Sequence, residues 1–256
     1  MKTYFTVEVK PTIPASKQAP FADGKVLFDW TSFKIPRGAA KLVSVCAVLR
    51  GENGSPQAPN SSKPKIDLFF AKAIDRVAPA TIGSVNTTMV AKPQVSNHII
   101  GMTHLETTDF GQNAGDFWTV GQTSGGATGN MMPNVILQGE AADGDVAFDT
   151  IYLAGAAGNA IDFGTTVIAR GGEAAGVTVV ETDKGANDDP EAEFIFAPGD
   201  VLHSGTDDVL GTVASISSFG SSKQDINFTA ATTDAIADDE EIFNINPIRF
   251  ILMFER

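Results

Sequence analysis

Apolar and polar residues alternate with a period of two in short runs along much of the chain, the pattern of strands with one buried face. Phe5, Val7 and Val9 alternate with Thr6 and Glu8, which predicts a strand over Tyr4–Val9. Val26 to Trp30 predicts a second strand after the turn at Asp23-Gly24. Phe33-Lys34-Ile35-Pro36-Arg37-Gly38 reads as a corner, because proline stops a ladder and glycine permits the turn. Lys41 to Arg50 is nearly continuously apolar, as a central core strand would be. Gly51 to Pro64 reads as an exposed loop and Lys65 to Lys72 as a returning strand, suggesting a hairpin or Greek-key connection.

From Ala73 to Ile136 the pattern weakens. Ala73 to Val77 has the length of one helical turn, Asn97 to Met102 that of a strand or extended turn, and Gly121 to Gly129 reads as a loop tip. Phe148 to Ala154 recovers a strand, and Thr165 to Arg170 is β-like until Gly171-Gly172 breaks it. Short strands are then predicted at Val177–Val180, Glu193–Phe196, Asp200–His203, Val209–Ile216 and Asp225–Phe228, at the turn spacing of a small barrel. Pro247 to Phe254 is so apolar that it must be buried, which returns the end of the chain to the first sheet. The predicted fold is all-β: an antiparallel β-sandwich of jelly-roll or Greek-key type over 1–170 with 246–256, and an inserted acidic small β-barrel over 171–245.

Composition agrees with this reading. A chain of 256 residues exceeds the usual single-core size, so two β modules are as plausible as one. Its 17 Phe suit a pleated, half-buried surface, while 25 Gly and 13 Pro punctuate turns. Charge is divided along the chain. Residues 1–100 carry 13 Lys and Arg against 6 Asp and Glu, whereas 101–256 carry 5 against 25. Such a split fits a basic part that meets an acidic partner surface; it equally fits acidic loops that keep the protein in solution. Cys46 is the lone cysteine, so no intramolecular disulfide forms, and its apolar strand makes it a small buried hydrophobe. Met1 to Glu8 lacks the apolar core of a signal peptide, and no run reaches the roughly 18 apolar residues of a membrane span. Folding in a reducing cytoplasm, with no membrane partner, is the expectation.

Candidate chemistry is sparse. His98, His104 and His203 stand without metal-ligand spacing to another His or Cys. The acidic groups Asp143-Gly144-Asp145, Asp188-Asp189, Asp207-Asp208 and Asp238-Asp239-Glu240-Glu241 match no calcium-loop pattern, although Asp143, Asp145 and Asp149 could share a loop face. There is no nucleophile elbow, phosphate loop or dinucleotide fingerprint. A net charge of −13 opposes nucleic acid. No catalysis, metal or cofactor is expected.

Several stretches resemble virion structural proteins of tailed bacteriophages. They are Phe33 to Ala40, Ile66 to Lys72 and Asn246 to Leu252. Phe196-Ala197-Pro198-Gly199-Asp200-Val201-Leu202-His203, continued by Gly211 to Ile216, resembles small β-barrel modules of phage particles. The resemblance covers about a third of the chain. It implies a capsid decoration (cement) protein in the virion, bound to the major capsid protein and to itself as a homo-oligomer, a trimer on a shell of local threefold symmetry. The alternative it implies is a head-fibre, tail or baseplate component that binds host-surface glycan. For a decoration protein, the expected partner contacts are Lys34, Arg37, Lys41, Lys63, Lys65 and Arg76.

Overall fold

A computed structural model describes residues 2–18, 20–50, 63–90, 92–111, 118–123, 133–142, 145–161, 163, 167–183, 191–217 and 223–256. Its strands are β1 Tyr4–Val9, β2 Val26–Pro36, β3 Ala40–Arg50, β4 Ile66–Ala71, β5 Ile99–Leu105, β6 Phe110–Gly111, β7 Trp118–Gln122, β8 Val135–Leu137 and β9 Phe148–Ala157. They continue as β10 Val167–Ile168, β11 Val179–Asp183, β12 Val201–Ser204, β13 Val209–Ile216, β14 Lys223–Phe228, β15 Glu241–Asn244 and β16 Ile248–Glu255.

The apolar alternation dictates which faces meet. One antiparallel sheet runs β1-β16-β3-β7-β6 with β8 also on β3, and a second runs β2-β9-β4-β5. Their inward residues form one core that includes Phe28, Phe33, Leu42, Val45, Leu68, Phe70, Leu153, Phe250 and Phe254. Phe28 and Phe250 touch across it with ring centroids 5.6 Å apart. The closing strand β16 lies between β1 and β3, Phe250 standing opposite both Val9 and Ala47. The end of the chain therefore returns to the first sheet, as its apolarity requires.

A third sheet runs β10-β15-β12-β13-β14-β11 around its own core of Val180, Leu202, Leu210, Val213, Ile226 and Ile242. Its two outer strands meet through the bridge Ala169↔Thr182, and the Arg170 amide donates to the Glu181 carbonyl at 2.8 Å. The sheet is thus nearly closed into a barrel. Three polar links tie it to the sandwich. Gln18 Nε2 donates to the Ile13 and Asn244 carbonyls at 2.9 and 2.8 Å. The Ser16 amide and hydroxyl donate to Asp207 at 2.9 and 2.6 Å, and the Ile13 amide donates to the Ile245 carbonyl at 2.8 Å.

Several elements differ from the sequence expectation. β2 runs on to Pro36, so the corner falls at Arg37 to Ala39, where Gly38 takes φ +106°. Ala73 to Val77 is not a helical turn. Ile74 and Val77 exchange backbone hydrogen bonds across Asp75 and Arg76, whose φ values of 50° and 67° make a tight hairpin. Glu193 to Phe196 is not a strand but lies largely in a short helix, Ala192–Ile195, that seats Ala192 and Ile195 in the barrel core. The weakly patterned middle holds β5 to β8. Gly121 belongs to β7 rather than to a loop tip, because a Cβ there would lie 2.4 Å from the Phe110 ring. β11 begins two residues after Val177, and β10 joins the barrel sheet ahead of residue 171. Gly171, at φ +73°, is a turn following β10. The loop at 51–62 and the tip at 124–129 lie outside the described residues.

Candidate functional site

Strand direction gives the molecule two chemically different ends. β16 leaves the barrel at Ile248 and finishes at Glu255, opposite Lys41 of β3 and Tyr4 of β1. Eight residues at about 3.3 Å each separate those ends by roughly 25 Å. At the near end stands the barrel, whose segment 167–244 carries 16 Asp and Glu against Arg170, Lys184 and Lys223. At the far end is the β2–β3 turn, which carries Arg37.

That turn is held from three sides. The buried Asp149 carboxylate accepts the Gly38 amide at 2.9 Å, the Arg37 amide donates to the Ala147 carbonyl at 2.8 Å, and Arg256 Nη2 donates to the Arg37 carbonyl at 2.7 Å. Lys34 projects from the exposed face of β2, with its ammonium 2.8 Å from Asp145 and 6.0 Å from the Phe148 ring centroid. Arg76 arrives on its hairpin, where its amide donates to Glu140 at 3.0 Å; Glu140 bridges Thr150, and Thr150 stands opposite Lys34. Lys34, Arg37, Lys41 and Arg76 therefore share one end. Exposed apolar side chains accompany them: Val77 at 64%, Ile136 at 67% and Val146 at 79%, with Ile136 opposite Lys41. Cations among exposed hydrophobes make an amphipathic surface suited to docking.

The other two expected contacts lie elsewhere. Lys63 and Lys65 immediately precede β4, whose start pairs with the Ala157 end of β9, whereas Thr150 marks the opposite end of that strand. The Lys65 ammonium is 3.0 Å from Glu106, and this bond holds its pKa above the ordinary lysine value. Asn159 brackets the pair, accepting the Lys65 amide at 2.7 Å and donating to the Lys63 carbonyl at 2.9 Å. The six cations do not form one face; four gather and two do not.

The Asp145 carboxyl is held below the usual carboxylate range by the Lys34 ammonium and then by the Ala147 and Phe148 amides. A depressed carboxyl stabilises the fold above its unfolded pKa of about 3.9, and that stabilisation disappears as the pH falls through the folded value. Asp145→Asn is therefore expected to melt below the parent at neutral pH and to converge with it in acid. Thermal melts across that range check this, and a constant gap would contradict it.

The other chemically capable groups have local partners. His98 Nδ1 donates to the Lys72 carbonyl at 2.8 Å, and His203 Nδ1 to the Asp207 carbonyl at 3.1 Å. His104 lies 3.6 Å from Glu106. Asp238 accepts the Gly171 amide at 2.6 Å, and Glu240 accepts the Ala237 amide at 2.9 Å, so these acids cap turns. Asp143 and Asp188-Asp189 lie outside the described residues. Cys46 is half-buried, and burial pushes its thiol pKa up while Arg249 pulls it down. No group of three or more His, Cys, Asp or Glu placed to hold a metal ion occurs among the described residues. Among them, too, no helix is long and apolar enough to cross a membrane.

A cleft of about 540 Å³ lies where sandwich and barrel meet. Val48, Val120, Pro198 and Pro247 give it apolar walls, and Lys10, Asp200, Asn246 and Arg249 supply polar groups. The sequence reading missed it because its residues come from five separate segments.

Compared with known proteins, the chain matches no family model, no curated protein and no solved structure.

Proposed function

We propose that this chain is a structural component of a tailed-bacteriophage particle, a decoration or cement protein that binds the outer face of the capsid shell and stabilises it. The carrying observation is the separation, along β16, of an end that gathers four cations and exposed apolar side chains from an acidic barrel. A protein that cements a shell needs a rigid body, one face that engages its neighbours and another that remains in solvent. In this reading Arg37, Lys41 and Arg76, with Val77, Ile136 and Val146 beside them and Lys34 alongside in its pair with Asp145, meet acidic and apolar groups of the major capsid protein. The barrel points outward, where its charge opposes nonspecific association. The role is assembly in the host cytoplasm and residence in the virion, without catalysis.

The cleft favours a second reading, a head-fibre, tail or baseplate component. Apolar walls with Asn246, Asp200, Lys10 and Arg249 suit the faces and hydroxyls of a host-surface glycan.

Mass spectrometry of purified particles, with copy number taken against the major shell protein, separates the readings. A copy number comparable to that of the shell protein is the expected result. A small multiple of the tail or vertex symmetry would favour the glycan-binding component. Absence from particles would overturn both.

A further inference from the structure

Among the described residues, the outer strand β1 has an unused edge. Thr3 and Arg256 exchange both backbone hydrogen bonds, at 3.0 and 2.9 Å, so alternation along the ladder turns the Phe5, Val7 and Val9 groups toward β16. The backbone N–H and C=O groups of Tyr4, Thr6 and Glu8 point the other way. Among the described residues β1 pairs with β16 alone, and the strand has no proline, no bulge and no inward-pointing charge to block another strand. Its inward Phe5 and Val7 are only partly buried, although Phe5 stacks on Phe254 at 5.2 Å. The core is therefore open along this edge.

We propose that β1 pairs antiparallel with β1 of a second copy of this chain about a two-fold axis through Phe5. The strand is self-complementary in that register. Lys2 of each copy faces Glu8 of the other, and Tyr4 faces Thr6. The two Phe5 rings meet on the core side, joining the apolar interiors. Lys2 and Glu8 are both exposed, and within the chain they pair with Glu255 and Arg249, so the contact between copies extends these ion pairs into an alternating row of charges. The paired residues on each side, Tyr4 with Thr6 and Lys2 with Glu8, are those whose backbone groups point outward, which the ladder requires. An isologous pair of this kind replaces the threefold assembly that the resemblance implies. It rests on the edge alone and stands whether or not the basic end docks on a shell.

Sedimentation equilibrium on the full chain tests it. The parent is expected to form dimers. Thr6→Pro removes an amide that bonds nothing among the described residues, and by symmetry deletes two bonds between copies. It should weaken dimerisation by roughly thirtyfold, at about 1 kcal/mol per bond, without moving the circular dichroism spectrum. Hydrogen exchange provides a readout that needs no variant: the Tyr4, Thr6 and Glu8 amides should gain protection as concentration rises. A monomeric parent, a trimer indifferent to Thr6→Pro, or rapid exchange at those amides at every concentration would overturn the proposal.

Discussion

Phe250→Ala is expected to lower the melting temperature by roughly 10 °C, following from a loss of about 3–5 kcal/mol in a protein of this size. Phe250 is fully buried on the strand that closes the first sheet, and its ring meets Phe28 of the opposing sheet at 5.6 Å. Truncation removes apolar contact from both sheets and leaves a void that β1 and β3, each paired to β16, cannot easily collapse into. Met253→Ala is the matched comparison. It lies three residues along the same strand on the outer face, at 38% exposure, so its replacement should shift stability by only about 0.5 kcal/mol. Calorimetry on the two variants decides the matter. Equal melting temperatures would mean that β16 is not the keystone described.

The second large effect concerns docking. On the proposed capsid reading, combining Arg37→Glu, Lys41→Glu and Arg76→Gly should reduce binding to isolated capsid shells by about a hundredfold or more, since like charges placed opposite one another cost several kcal/mol. The residual binding should also lose most of its dependence on salt. Glycine is chosen at Arg76 because φ there is +67°, a conformation that costs an ordinary residue energy and costs glycine little. That change removes a cation while favouring the hairpin, so a loss of binding is not a loss of fold. Lys63→Glu with Lys65→Glu, at the other end of the sheet, should leave shell binding within a few-fold of the parent. If the two sets fall equally, the four-cation end is not the docking surface.

Much of the fold was legible because burial imposes a period of two. β1 and β13 occupy the segments their alternation predicts, and the apolarity of Ile248 to Phe254 signals their central position in a sheet. Where local preference and tertiary packing disagreed, packing prevailed. Gly121 resembles loop sequence, yet its missing side chain is what lets the Phe110 ring lie on β7. Ile195 and Phe196 look like strand residues, yet they reach the barrel core from a single helical turn and its end. The candidate docking end was legible only in part. Composition reveals a basic first hundred residues, but the division of the six cations depends on strand direction and pairing. Asp145 lies 111 residues from the Lys34 it neutralises, a distance no local pattern conveys.

The barrel's first and last strands are neighbours, with Val167 opposite Ile242 in an antiparallel pair whose Cα atoms lie about 5 Å apart. The chain thus enters and leaves that module through a single doorway. None of β10 to β15 takes part in the two sandwich sheets. The barrel is in effect a cassette: a different insert with similarly spaced ends, or a short turn, could replace it without rethreading the body. One sandwich could in this way carry different modules, with diversification confined to the part farthest from Arg37 and Lys41.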